Sequence, residues 1–165
     1  MSLLSPDRYV SSVDRIDLSE LWEQGIRLIL LDRDNTLVPR DARVAPPAVT
    51  AWLDEARARG FSLAMVSNNW HFDEVERTAG ELGLRAVGFC CKPLPFALSR
   101  ERRRARVPAR AVAMVGDQLF TDMWAGKLAG ATTILVQPQC RTDLWYTQIF
   151  RIFERAALKR VELED

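Results

Sequence analysis

The chain predicts an α/β fold of three layers, with helices on both faces of a central parallel sheet, and three observations carry that prediction. Apolar runs of strand length recur at Leu28–Leu31, Phe61–Val66, Leu84–Phe89, Ala111–Val115 and Thr132–Val136. Stretches of helical pattern separate them, and strands alternating with helices imply parallel β-α-β units with right-handed crossovers. Leu28–Leu31 is apolar at four consecutive positions, which suits a strand buried on both faces in the middle of such a sheet. The 165 residues, 48% of them apolar, are one domain's worth of chain. A single domain over residues 1–165 is therefore expected, with an amino-terminal arm over about 1–20 and a carboxyl-terminal amphipathic helix over about 143–161.

In order, Leu3–Val13 mixes apolar and polar residues around Pro6 and reads as an arm with a short helix laid on the domain. Asp17-Leu18-Ser19-Glu20 leads into a helical Leu21–Gln24 stopped by Gly25. After the first strand, Val38–Ala45 is a polar loop. Pro46-Pro47 opens a helix to about Arg59, proline being well placed in a first helical turn. Further helices are predicted over Phe72–Leu82, stopped by Gly83, then Phe96–Arg106, Thr121–Ala129 and Trp145–Val161.

Charge excludes some functions. Lys and Arg number 23 against 22 Asp and Glu, so the whole chain shows neither the excess expected of a nucleic-acid binder nor an acidic tail. Arg100, Arg102, Arg103, Arg104 and Arg106 cluster as a solvated helix face, with a surface for a phosphate-rich partner as the alternative. The three cysteines, Cys90, Cys91 and Cys140, form neither a disulfide framework nor a zinc spacing, which fits a reduced cytoplasm. Charged residues from Asp7 to Glu20 leave no signal-peptide core at the start, and no later apolar run is long enough to span a bilayer.

Chemistry gathers after the strands. The first strand ends in Asp32 and Asp34, and in a locally extended backbone residues i and i+2 point the same way. Two converging carboxylates call for a cation or a shared proton. A divalent metal held by one carboxylate, with the other placed for proton transfer, satisfies both. The next strands end in Ser67, Lys92, and Asp117 with Asp122, and in a parallel sheet all these loops leave from one edge. Each has a plainer reading: a polar turn at Asp32 and Asp34, a helix cap at Ser67, a solvated lysine, a Gly-Asp turn. Their joint placement after successive strands favours a site.

Asp32–Thr36 (DRDNT), Val66–Asn68 (VSN), Lys92-Pro93 and Gly116–Asp122 (GDQLFTD) together resemble the four signatures of the haloacid-dehalogenase-like phosphohydrolases, which share a Rossmann-like fold. With Val66–Asn69 reading VSNN, the chain is similar to the YqeG-type branch, of subclass IIIA, which lacks a large cap domain. The resemblance implies a phosphatase in which Asp32 attacks phosphorus to form an aspartyl-phosphate while Asp34 gives and takes the proton. It implies Mg²⁺ bound by Asp32, the Asp34 backbone carbonyl and Asp117, with Asp122 in support. Ser67, Asn68 and Lys92 would hold the phosphate, and Thr36 would orient Asp32.

His71 is the one histidine, and it reads as a rim or helix-start residue rather than a general base. Arg33 departs from the apolar residue common at that position in YqeG-type chains, and receives no role. Asp-Arg-Asp also resembles the histidinol-phosphate and heptose-bisphosphate phosphatases, whose Cys/His zinc loop is absent here. A small-metabolite phosphatase is thus one alternative, and a weakly active binding or regulatory module on the same fold is another.

The segments between Thr36 and Ser67 and between Ser67 and Lys92 are too short to hold a cap domain, so a bulky phosphorylated substrate fits an open site. Some YqeG-type relatives act as phosphatidylglycerophosphate phosphatases, and the resemblance extends to that lipid head group. In the last helix Trp145, Ile149, Ile152, Phe153 and Ala156 share a face, with Arg151, Arg155, Lys159 and Arg160 on other sides. That stripe suits packing on its own domain or in a homodimer, with peripheral membrane contact as the alternative.

Overall fold

The computed structural model describes residues 5–139 and 163–164. Its strands are β1 (Arg8–Val10), β2 (Leu28–Leu31), β3 (Ser62–Val66), β4 (Arg85–Val87), β5 (Val112–Gly116) and β6 (Thr132–Val136). They form one sheet in the order β1-β6-β5-β2-β3-β4, with every neighbouring pair parallel. The helices are α1 (Leu18–Glu23), α2 (Pro47–Ala58), α3 (Phe72–Glu81), α4 (Phe96–Ala105) and α5 (Trp124–Ala129).

The continuous apolar run of β2 has a direct cause. Ile29 and Leu31 join a core with Trp52 and Leu53 of α2 and Val75 and Ala79 of α3. Leu28 and Leu30 point the other way, into a second core with Ala97 and Leu98 of α4 and Ala125 of α5. The period-2 alternation of a strand thus feeds two apolar layers, and the fold is the predicted α/β/α sandwich.

Chain order fixes where ligands go. From β2 the chain steps outward to β3 and β4, then returns across the opposite face through α4 to add β5 on the other side of β2. The strand order therefore reverses at β2, and in open α/β sheets ligands bind beyond the carboxyl ends of the strands at such a point. Asp32 follows β2 directly, and its amide still donates to the Val115 carbonyl at 2.9 Å.

Two elements differ from the sequence reading. The arm, read as a short helix, supplies edge strand β1, pairing Arg8, Tyr9 and Val10 with Ile134, Leu135 and Val136. Asp7 fastens it: its Oδ2 accepts from the Thr133 amide at 2.8 Å and hydroxyl at 2.9 Å, and its Oδ1 pairs with Lys127. A three-residue strand carries little periodicity of its own, and what specifies it lies far along the chain in β6. The helix read over Thr121–Ala129 begins instead as a wide π-type turn, Leu119–Met123, before α5. The carboxyl-terminal helix of the sequence reading lies outside the described residues. Among those residues no helix is long and apolar enough to cross a membrane.

Candidate active site

The turn after β2 is tight. Asn35 takes a left-handed backbone (φ 60°), which asparagine tolerates better than most residues. The amides of Leu37 and Val38 both donate to the Arg33 carbonyl at 3.0 Å, and the Asn35 amide donates to Val38. Asn35 Oδ1 accepts from the Arg40 amide at 3.1 Å and ties down the start of the next loop. Asp32 is left buried at the floor of an open cleft of about 510 Å³, with Asp34 on its wall.

Lys92 gathers the floor. Its Nζ donates to Asp32 Oδ1 at 2.5 Å, to Asp122 Oδ1 at 2.6 Å and to the Val66 carbonyl at 2.9 Å. An ammonium has three protons, so all its donors are engaged. Burial works against the charge on Lys92, but Asp122 and Asp32 outweigh it and raise its pKa above the ordinary lysine value. Asn68 sets the backbone of Lys92 from the next loop, donating from Nδ2 to the Lys92 carbonyl and accepting its amide on Oδ1, both at 2.9 Å. The Asn68 side chain therefore positions Lys92, and the residue lines the cleft where a phosphate would lie.

Asp117 and Asp122 arrive from the end of β5 and the wide turn. Asp122 Oδ2 accepts from the Gln118 amide at 3.1 Å and lies over Gly116, where a Cβ would come within 2.3 Å of it. Gly116 is the residue that lets this carboxylate reach the floor. Oxygens of Asp32, Asp117 and Asp122 lie within 4.8 Å of one another, and Asp117 Oδ1 is buried without a hydrogen-bond partner among the described residues. Burial pushes the Asp32 carboxyl up to about 7; Lys92 opposes the rise and Asp122 adds to it. Burial, then Asp32 and Asp122, raise Asp117 well above the usual carboxylate range. Three crowded carboxyl groups facing one lysine, with an orphaned oxygen among them, fit a hard divalent cation.

The other predicted residues fall at this edge with differences. Asp34 does not join the close carboxylate group. Its Oδ1 accepts from Arg33 at 2.6 Å, and its Oδ2 faces Asn69 Nδ2 at 3.4 Å. The turn at Asn35 ends the extended backbone on which convergence with Asp32 was argued. Ser67 is buried, and its Oγ accepts the Asn69 amide at 3.0 Å, leaving the hydroxyl proton free to donate. Thr36 does not hold Asp32: its hydroxyl is buried with no partner among the described residues, while its carbonyl accepts from Gln139. His71 precedes α3 as a helix-start residue, exposed and bonded to Asn69 through its amide.

Sequence reasoning missed Asn69 and Thr78. Asn69 contacts Asp34, Ser67 and His71 together, and the doubled asparagine was its signal. Thr78 is a buried polar residue on the apolar stripe of α3, and it bonds Arg33.

A switch-point sheet whose loops bring together two carboxylates after the first central strand, a serine, a lysine and a further acidic pair defines a phosphohydrolase of the haloacid-dehalogenase-like class. Residues 89–141 match the HAD-hydrolase-like family model. The chain is 34% identical over 158 residues to the probable phosphatase YqeG of Bacillus subtilis, covering 94% of this chain and 91% of that one. It therefore belongs to the YqeG-type phosphatases of the haloacid-dehalogenase-like hydrolases. It is also 26% identical to phosphatidylglycerophosphate phosphatase 1 of Arabidopsis thaliana, covering 94% of this chain and 47% of that protein. In fold it resembles the cobalt-bound deoxy-D-mannose-octulosonate 8-phosphate phosphatase of Haemophilus influenzae (TM-score 0.54, 15% identity, covering 82% of this chain and 89% of that one). The corresponding enzyme of Moraxella catarrhalis, in complex with magnesium, phosphate and KDO, is similar at TM-score 0.52 and 15% identity, covering 88% and 94%.

Proposed function

We propose that this phosphatase hydrolyses a phosphomonoester through an aspartyl-phosphate on Asp32, with Mg²⁺ as cofactor, and that its substrate is a phospholipid head group of the phosphatidylglycerophosphate type. The observation that carries the mechanism is the floor of the cleft, where Lys92 is shared by Asp32 and Asp122 beside the unpartnered Asp117 oxygen. Lys92 holds Asp32 Oδ1, which leaves Oδ2 to attack phosphorus in line. As that bond forms, the bond from phosphorus to the leaving oxygen breaks, and Asp34 supplies the proton that oxygen needs. Asp34 then takes a proton from the water that splits the aspartyl-phosphate. Ser67 donates its hydroxyl to a phosphoryl oxygen, and Lys92 balances the charge on the others. Asp32, Asp117 and the Asp34 carbonyl would hold Mg²⁺, with Asp122 in support; when bound, the ion supplies charge neutralisation across the carboxylates and the phosphate.

Two observations support a substrate with an apolar body. The cleft is open, and none of the described elements caps it. Its rim is aromatic: Trp70 lines it and is 82% exposed, and its ring meets that of Phe89, 53% exposed, edge to face at 5.8 Å. Tryptophan beside a wet polar site suits a membrane interface, so peripheral contact with a bilayer belongs to this reading.

The test is phosphate release from phosphatidylglycerophosphate in vesicles, set against a panel including histidinol phosphate and sugar phosphates, for wild type and Asp32→Asn. The lipid is expected to lead the panel, and Asp32→Asn is expected to lose on the order of a thousandfold or more because the covalent route disappears. A soluble phosphate leading the panel would remove the lipid reading. Equal rates in the two proteins would remove the mechanism and leave a weakly active binding module.

A further inference from the structure

We infer that Arg33 is a positioning residue that anchors one oxygen of Asp34 and thereby aims the other at the leaving group. The inference rests on the proton-transfer role proposed for Asp34. Arg33 is 7% exposed, unusual for an arginine at a cleft, and its guanidinium is fixed at both ends. Nη1 donates to Asp34 Oδ1 at 2.6 Å. Nε donates to Thr78 Oγ1 at 3.2 Å, and Nη2 stands 3.8 Å from Glu74 Oε2. Thr78 is held in turn, since its hydroxyl donates to the Glu74 carbonyl one turn earlier in α3. A rigid helix thus fixes a planar guanidinium, and the guanidinium fixes a carboxyl group that stands on a turn.

Among the described residues the other Asp34 oxygen, Oδ2, has only the 3.4 Å contact with Asn69 and lies on the cleft wall, so it is the one available for chemistry. Phosphoryl transfer moves the electron pair of the breaking phosphorus–oxygen bond onto the leaving oxygen, and Asp34 passes its proton to that oxygen. The transfer needs Oδ2 within hydrogen-bond reach in a fixed direction. An arginine supplies a planar fork that a lysine, a point charge on a flexible stem, does not reproduce.

Leaving-group dependence isolates this role. An alkyl phosphomonoester needs the proton, whereas 2,4-dinitrophenyl phosphate departs without it. In the Mg²⁺-supplied protein, Arg33→Met is expected to lower kcat/KM, which reports the steps up to departure of the leaving group and not the later hydrolysis of the aspartyl-phosphate, about a hundredfold on the alkyl ester and less than about threefold on the dinitrophenyl ester. Arg33→Lys should recover only part of the loss. Thr78→Val, which removes the partner of Nε and keeps the shape of the side chain, should lose several-fold on the alkyl ester alone. Asp34→Asn serves as the reference for a missing proton donor. If Asp34→Asn discriminates between the esters while Arg33→Met and Thr78→Val do not, Arg33 does not position Asp34 and the inference falls alone. If Asp34→Asn loses equally on both esters, the proton-transfer role falls and the inference with it.

Discussion

At the scale of single residues, the floor of the cleft ties stability to pH. The Asp32 carboxyl is pushed up to about 7, chiefly by burial, whereas in the unfolded chain it takes the ordinary value of about 4. Between those values the folded protein keeps a proton that the unfolded chain releases. The group's contribution to stability is therefore complete below the unfolded value and is lost as pH climbs through about 7. Asp117, raised mainly by burial, acts in the same direction. The thermal midpoint of the metal-free protein is expected to fall between about pH 5 and pH 8, and added Mg²⁺ to recover more of it at the upper end, where the ionised carboxylates need a counter-charge. A midpoint that rises over that interval, or a Mg²⁺ effect of equal size throughout, would contradict this account. The gathering of Asp32, Ser67, Lys92, Asp117 and Asp122 at one sheet edge was legible, because each follows an apolar run of strand length in an alternating strand–helix pattern. The partners of Arg33 were not, because Thr78 sits 45 residues away and meets it only when α3 packs against the sheet.

At the scale of elements, Gly116 makes β5 compatible with the wide turn that follows. A Cβ there would meet the buried Asp122 carboxylate, which Lys92 and the Gln118 amide hold in place. Gly116→Ala is expected to cost about 1–3 kcal/mol in thermal or denaturant unfolding and to lower kcat about tenfold, since Asp122 must move. Unchanged stability and rate would show that the carboxylate has another place to go. The turn itself was not readable as such, because Leu119–Met123 runs directly into α5 and differs from it only in backbone spacing. The aromatic rim also belongs to this scale. Trp70→Ser with Phe89→Ser, both exposed, should slow turnover of vesicle-embedded lipid about tenfold and leave a soluble phosphomonoester within about twofold. A parallel loss on both substrates would place the rim in folding rather than in lipid contact.

For the molecule as a whole, the alternation of strands and helices made the parallel sheet and its active edge predictable, while β1 depended on a partner at the other end of the chain. Asp7 carries much of that attachment. Asp7→Ala removes its bonds to Thr133 and its pair with Lys127, and should cost about 1–2 kcal/mol in unfolding while sparing activity, because two strands, β6 and β5, separate β1 from the strand that carries Asp32. A loss of activity as large as that of a floor residue would mean that the edge strand communicates with the cleft. The loop after β2 has a consequence of another kind. Arg40–Val44 are exposed, yet the ends are pinned by the Asn35 bond to Arg40 and by buried Ala45. New residues spliced between Asp41 and Arg43 would begin one residue past Arg40, which lines the cleft, without tugging on Asp32. The fold therefore offers a socket for a lid of choice, at which substrate range could be rewritten while the reacting groups stay as they are.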